Sequence, residues 1–295
     1  MFENFEVLKH SVLGKIPKTI AVASAADMHS LEAIRDAHKE LNVKYKLVGD
    51  SDKIVQIAKE IQFDLDLDTI VHAGSDEEAA YLAIQLIRDG HAEVLMKGNL
   101  QTPTLLKAVL DKESGISGGG ILSHLAVLDS PAYSRLMFVT DGGMNIAPDL
   151  SQKKAILENS VVFMRKMGYD CPNVAVLAAS ESVSEKMQET LDARDLVQMN
   201  KNAEITDCVV AGPLSFDLAI SRESAEIKGA ECAISGEADL FLMPNIATGN
   251  IMSKALIYLG GTKMAGCILG TKVPIVLVSR GASAEEKLLS ILLTL

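Results

Sequence analysis

Tryptophan is absent from this chain of 295 residues, and aromatic residues together make up 4% of it. Its core must therefore be aliphatic, and the aromatic platforms on which single-stranded nucleic acids stack are excluded. No block of Lys and Arg is dense enough to serve as a nucleic-acid patch, and the net charge is −11. An anionic ligand would have to be held by a local cluster of cations against that acidic background. Cys171, Cys208, Cys232 and Cys267 are scattered, with neither a Cys-x-x-Cys pair nor metal-ligand spacing, and read as free thiols in a reducing compartment. The histidines form no His-x-x-x-His pair, and His124 within LSHLAVL reads as a core or surface residue. No bound metal is expected. No apolar run approaches the ~18 residues of a membrane helix, and the start, MFENFEVLKHSVLGK, lacks the basic-then-apolar order of a signal peptide. A cytoplasmic protein with no membrane and no nucleic-acid partner is expected.

What is present is alternation. TIAVAS (19–24) reads as a buried strand, and MHSLEAIRDAHKEL (28–41) follows with the helical spacing of Leu31, Ile34, Ala37 and Leu41. The beat repeats through KYKLVG, TIVHAG and AEVLMKG, each followed by a helical pattern. A second series begins near residue 133 with RLMFVTD and ends on VPIVLVS with its helix. Strands alternating with helices in this way predict an α/β fold with mainly parallel sheets. The glycine-rich stretch KESGISGGGILSHLAVLDSPAY separates the two series, and a domain boundary is expected at about residues 125–130.

Ligands of open α/β sheets bind beyond the carboxyl ends of the strands. Of the segments that follow the strands, two carry a cation, Lys97 and Arg280. In MKGNLQTPTLL, Thr102 reads as an N-cap and Pro103 as the first helical residue, so Lys97, Gly98, Asn99 and the helix start form either an anion site or a capped turn with a surface lysine. In LMPNIATGNIMSKAL, Asn250 reads as an N-cap ahead of Lys254, and Asn245, Thr248 and Gly249 offer amides for phosphate or carbonyl oxygens. In TDGGMNIAP, Asp141 and Asn145 either orient a ligand or close a turn.

The segment VPIVLVSRGASAEEKL (273–288) is the most pointed. Ser283 followed by Glu286 three residues later is a capping box, and Arg280 could be a simple ion-pair partner. An arginine on a strand-end turn before a helix start is also a fork suited to a phosphoryl group.

Five segments together, VPIVLVSRGASAEEKLLSI, ADLFLMPNIATGNIMSKAL, GPLSFDLAIS, VLMKGNLQTPTLLKAVL and TDGGMNIAPDLSQKKAI, resemble the phosphate acetyl/butyryltransferase family, from about residue 20 to the end. Chain length and the Lys-Gly-Asn and Gly-Pro-Leu-Ser-Phe-Asp stretches place the resemblance nearer the butyryltransferase branch. It implies the two-domain α/β fold of isocitrate- and isopropylmalate-type dehydrogenases, with a cleft between domains. Residues 1–127 with 270–295 would form the first domain and 128–269 the second.

The resemblance further implies reversible transfer of a short-chain acyl group, butyryl or branched, between coenzyme A and inorganic phosphate, with no metal and no covalent enzyme intermediate. Coenzyme A would be a co-substrate, with no permanently bound cofactor, and a homo-oligomer is the family habit, in keeping with the apolar C-terminal LLSILLTL. Ser279 and Arg280 match the family's Ser-Arg pair, in which the arginine binds phosphate and the serine lies near the thiol. Glu286 falls where the acetyltransferases carry an aspartate proposed as the base, which keeps a carboxylate but lengthens it. The region from Lys97 to Thr102 aligns with a CoA-contacting turn, and Asn245 to Asn250 with a loop lining the cleft. Three other readings remain at this stage: a phosphate acetyltransferase, an NAD(P)-dependent decarboxylating dehydrogenase of the same fold, and a catalytically silent binding protein for coenzyme A or phosphate.

Overall fold

The computed structural model describes every residue except Glu231 and Arg280. Two compact units divide the chain, residues 5–120 with 265–295 and residues 1–4 with 121–264. They are the N-terminal unit and the middle unit below.

The N-terminal unit opens with α1 (Phe5–Val12), β1 (Thr19–Ala23), α2 (Met28–Leu41), β2 (Lys44–Gly49), α3 (Ser51–Glu60), β3 (Ile70–His72), α4 (Asp76–Arg88), β4 (Val94–Lys97) and α5 (Thr102–Val109). The middle unit follows with β5 (Ser123–Asp129), β6 (Met137–Thr140), α6 (Leu150–Lys166), β7 (Asn173–Leu177), α7 (Gln188–Lys201), β8 (Val209–Leu214), α8 (Phe216–Ile220), α9 (Arg222–Lys228), β9 (Leu240–Leu242) and α10 (Ile246–Gly260). The chain then returns to the N-terminal unit through β10 (Lys263–Leu269), β11 (Ile275–Val276) and α11 (Ala284–Leu292).

In the N-terminal unit the strand order is β3-β2-β1-β4-β11-β10, and all pairs are parallel except β10 with β11. In the middle unit it is β5-β6-β9-β7-β8, with β5 and β6 antiparallel and the rest parallel. Each sheet is therefore mixed. The central strands are buried along their whole length, as Ile20, Val22, Val94 and Met96 show in one unit and Met137, Val139 and Phe241 in the other. That is why they read as unbroken apolar runs rather than alternating ones.

Helix starts follow local chemistry. Asp27 caps α2 and Ser75 caps α4, where three acids in the first turn suit the positive end of the helix. Capping boxes close α6 (Asp149 with Gln152) and α11 (Ser283 with Glu286).

Several sequence expectations are corrected. The strand expected over VPIVLVS is confined to Ile275–Val276. Residues 123–129, within the stretch that separates the two series, form a buried strand once the glycines end. Thr102 is not a cap: Gln101 holds that position without a side-chain bond, and Pro103 lies one residue further into the helix. Asn250 is not a cap either, since α10 starts earlier with Asn245 as its N-cap. Of the C-terminal LLSILLTL, Ile291, Leu292 and Leu293 are buried, while Leu288, Leu289 and Leu295 are half-buried. Among the described residues no helix is long and apolar enough to cross a membrane.

Candidate functional site

Three strand ends of the N-terminal unit converge on one small polar cavity. It is lined by Asp27 after β1, by Lys97, Gly98 and Asn99 at the end of β4, by Val278 and Ser279 after β11, and by Lys287 of α11. This is the carboxyl edge of parallel strands, where open α/β sheets place their ligands.

The floor of the cavity is built by the backbone. Gly98 donates its N–H to the Ala23 carbonyl at 2.8 Å and Asn99 to that of Ser24 at 2.9 Å, which carries the β1–β4 pairing past the strand ends. A Cβ on residue 98 would fall 2.7 Å from the Ala23 carbonyl oxygen and closer still to that of Ser24, so only glycine fits. Lys97 is not a surface lysine. It is 4% exposed, and its ammonium donates to the carbonyls of Gly98 at 3.2 Å and Leu100 at 3.0 Å. Burying a cation is costly unless its N–H groups are satisfied, and these carbonyls supply part of that.

Opposite lies an ion pair absent from the sequence reading. Lys287 donates to Asp27 Oδ2 at 2.5 Å and to Ser30 Oγ at 2.9 Å. The same Oδ2 accepts from Ser30 Oγ at 2.6 Å and from Ser30 N at 2.9 Å. Burial alone would raise the Asp27 carboxyl; the hydrogen bonds and charge from Lys287 and Ser30 outweigh it and hold the group below its ordinary range. Asp27 therefore stays ionised at neutral pH, and Lys287 has a fixed counter-charge.

Ser279 lines the cavity and is exposed. Arg280 lies outside the described residues. Glu286 does not line the cavity: its Oε2 accepts from Ser283 N at 2.8 Å, and its own N–H reaches Ser283 Oγ at 3.2 Å. The capping box is thus formed, and Oε1 of Glu286 has no hydrogen-bond partner among the described residues. Thr102, in the first turn of α5, is also absent from the cavity lining.

The other expected site residues belong to the middle unit and meet at the turn after β6. Asp141 is 2% exposed, and its oxygens accept from Gly143 N and Met144 N at 2.8 Å, His124 N at 2.9 Å and Asn145 Nδ2 at 2.6 Å. Asn145 also donates to the Leu122 carbonyl at 2.9 Å. Both side chains therefore close the turn, with no donor or acceptor of Asp141 left aside. The N-terminus of α10 rests on this turn: Asn250 donates to the Gly142 carbonyl at 3.2 Å, and a Cβ on Gly249 would come within 2.8 Å of Gly142 Cα. Asn245 accepts from Thr248 N at 3.0 Å as the cap, and Lys254 is exposed further along the helix. His124 is buried with Nδ1 unpartnered, and desolvation pushes its imidazole down against the pull of Asp141, so it is neutral. Among the described residues no group of three or more His, Cys, Asp or Glu is placed to hold a metal ion.

A protein-family model described as phosphate acetyl/butaryl transferase matches residues 72–295. The chain belongs to this family. It is 44% identical over 278 residues to a probable phosphate butyryltransferase of Bacillus subtilis, covering 94% of this chain and 92% of that one. It is 42% identical over 293 residues to the phosphate butyryltransferase of Clostridium acetobutylicum, covering 99% and 97%. A crystal structure of a branched-chain phosphotransacylase from Enterococcus faecalis matches with a TM-score of 0.83 at 33% identity, over 94% of this chain and 97% of that one.

Within this phosphate acetyl/butaryl transferase frame, the site residues that sequence reasoning missed are Lys287 and its partners Asp27 and Ser30. The signal available was slight: a lone lysine in EEKLLSI at a position where the helix repeats an apolar face.

Proposed function

We propose that this acyltransferase moves a short-chain acyl group, butyryl or branched, reversibly between coenzyme A and inorganic phosphate. The observation that carries the reading is the cavity in which Lys97, Asn99 and Ser279 meet, in a chain that belongs to the phosphate acetyl/butaryl transferase family along most of its length. In the forward direction a phosphate oxygen attacks the thioester carbonyl, the C–S bond breaks, and coenzyme A leaves as a thiolate that takes up a proton. In reverse the thiol, with an ordinary pKa of about 8.5, must lose that proton before attacking the acyl phosphate. No redox step and no metal enters the balance.

Each proposed role follows from that charge movement. Arg280, always cationic, and Lys97 hold the phosphate charge, and stabilise it more as the C–O bond of the acyl phosphate breaks. Ser279 donates a hydrogen bond at the reacting sulfur. Glu286, with one oxygen in the helix cap and Oε1 without a partner among the described residues, receives the thiol proton. Gly98 and Asn99 hold the wall against which coenzyme A lies, and Asn245, Gly249, Asn250 and Lys254 supply further contacts from the middle unit. Asp141 and Asn145 act there through the turn they close rather than by touching substrate.

Phosphate-dependent thiol release from acyl-CoAs of two to six carbons is the test. Butyryl- or branched acyl-CoA should react fastest; fastest reaction of acetyl-CoA would make the enzyme an acetyltransferase, and absence of phosphate-dependent thiol from every member would overturn the proposal. Direct transfer also requires that labelled coenzyme A not exchange into acyl-CoA without phosphate; such exchange would reveal a covalent acyl-enzyme. We further propose self-association through the exposed face of α10, where Ile251, Tyr258 and Leu259 are 68%, 80% and 88% exposed. A monomeric mass in solution would refute it.

A further inference from the structure

We propose that Lys287 is a second phosphate-holding cation of the cavity, set in place by Asp27 and Ser30; the inference rests on the acyl-transfer reading above. Lys287 is 4% exposed, yet it lines a polar cavity together with Lys97 and Ser279. An ammonium carries three N–H donors. Two of them are committed, one to Asp27 Oδ2 at 2.5 Å and one to Ser30 Oγ at 2.9 Å, and the third has no partner among the described residues.

The arrangement suits an oxyanion. Among the described lining residues, Asp27 carries one negative charge against the two positive charges of Lys97 and Lys287. Among the described residues, each donor that holds Asp27 falls on Oδ2, from α2 and α11. The carboxylate thus acts as a tether for the ammonium and does not compete for the cavity through that oxygen. Asp27 and Ser30 are positioning residues in this account, and Lys287 is the one that touches phosphate. A lysine also suits the task chemically, because a phosphate that must leave within each turnover is better held by a point charge than by a second bidentate fork.

A buried ion pair with a purely structural role makes a different prediction, and kinetics separates the two. Lys287→Gln should raise the KM for phosphate roughly ten- to hundredfold, as loss of a charged hydrogen bond does, with the KM for acyl-CoA within about twofold of wild type. The double variant Asp27→Asn with Lys287→Gln removes both members of the pair, leaving neither charge without its partner, so it keeps the test open should the single variant fold poorly. It should show the same rise. Phosphate should raise the melting temperature of the wild-type chain and do so far less for either variant, a binding readout that does not depend on turnover. If the KM for phosphate and the phosphate-induced shift are unchanged in a folded variant, the assignment of Lys287 is wrong. If wild type binds phosphate through Lys287 but releases no thiol from any acyl-CoA, the acyl-transfer reading fails and the anion site stands.

Discussion

An aspartate follows a strand in each unit, and the two are held in opposite ways. Asp141 is enclosed by four N–H donors shared over both oxygens and has nothing left to offer. Asp27 accepts on Oδ2 from three donors among the described residues, one of them the ammonium of a buried lysine, and borders a cavity. A carboxylate satisfied by fixed backbone dipoles is a structural knot. A carboxylate satisfied by a buried ammonium at a cavity edge fixes that charge for use. Similar strand-end chemistry in sequence thus supports two different functions in space.

The structural half of this contrast breaks most severely at Asp141. Asp141→Ala leaves the His124 amide, in a buried strand, and three further N–H groups without their acceptor, and should cost roughly 3 kcal/mol or more. Urea unfolding measures it; a loss below about 1 kcal/mol would mean the turn does not depend on the carboxylate.

Glu286 lies between the two cases, with one oxygen in a cap and the other without a partner among the described residues. Glu286→Gln retains the capping box, in which glutamine serves as well as glutamate, so stability should hold while kcat falls by roughly a hundredfold. An unchanged kcat would reduce Glu286 to a helix cap. Gly98→Ala sharpens the other side of the comparison by pushing the wall that faces Asp27: the added Cβ meets two backbone carbonyls, and about 1–3 kcal/mol of stability should be lost. Alanine tolerated without loss would show that β1 and β4 can separate freely there.

The smallest expected effect is in acid. Because the Asp27 carboxyl is held below its ordinary range, the stability it contributes is complete above about pH 4–5 and is lost as pH falls through the lower, folded value. The stability gap between wild type and Lys287→Gln should therefore narrow as the solution is taken below about pH 4. A gap that stays constant through that range would show that the pair contributes nothing through charge.

The alternation of strands and helices was readable because the central strands are buried on both faces and the longer helices keep an apolar stripe. What escaped were features decided by distant residues. Asn250 resembled a cap because Gly249 precedes it, yet that glycine is inside α10, where the close approach of Gly142 requires it. Lys97 could be read as an anion ligand or as a surface lysine, because nothing in MKGN reveals that carbonyls of its own turn enclose the ammonium. Lys287 was invisible since its partner Asp27 lies 260 positions away in the chain. By contrast the Ser283–Glu286 capping box was legible, as its chemistry is complete within four residues.

The most direct measurement follows butyryl-CoA and inorganic phosphate by phosphorus resonance and thiol titration together. The account predicts an acyl phosphate signal that grows mole for mole with free coenzyme A, reverses on adding coenzyme A in excess, and collapses in Arg280→Ala. Thiol released without acyl phosphate, or an Arg280→Ala chain with wild-type rate and phosphate KM, would contradict it.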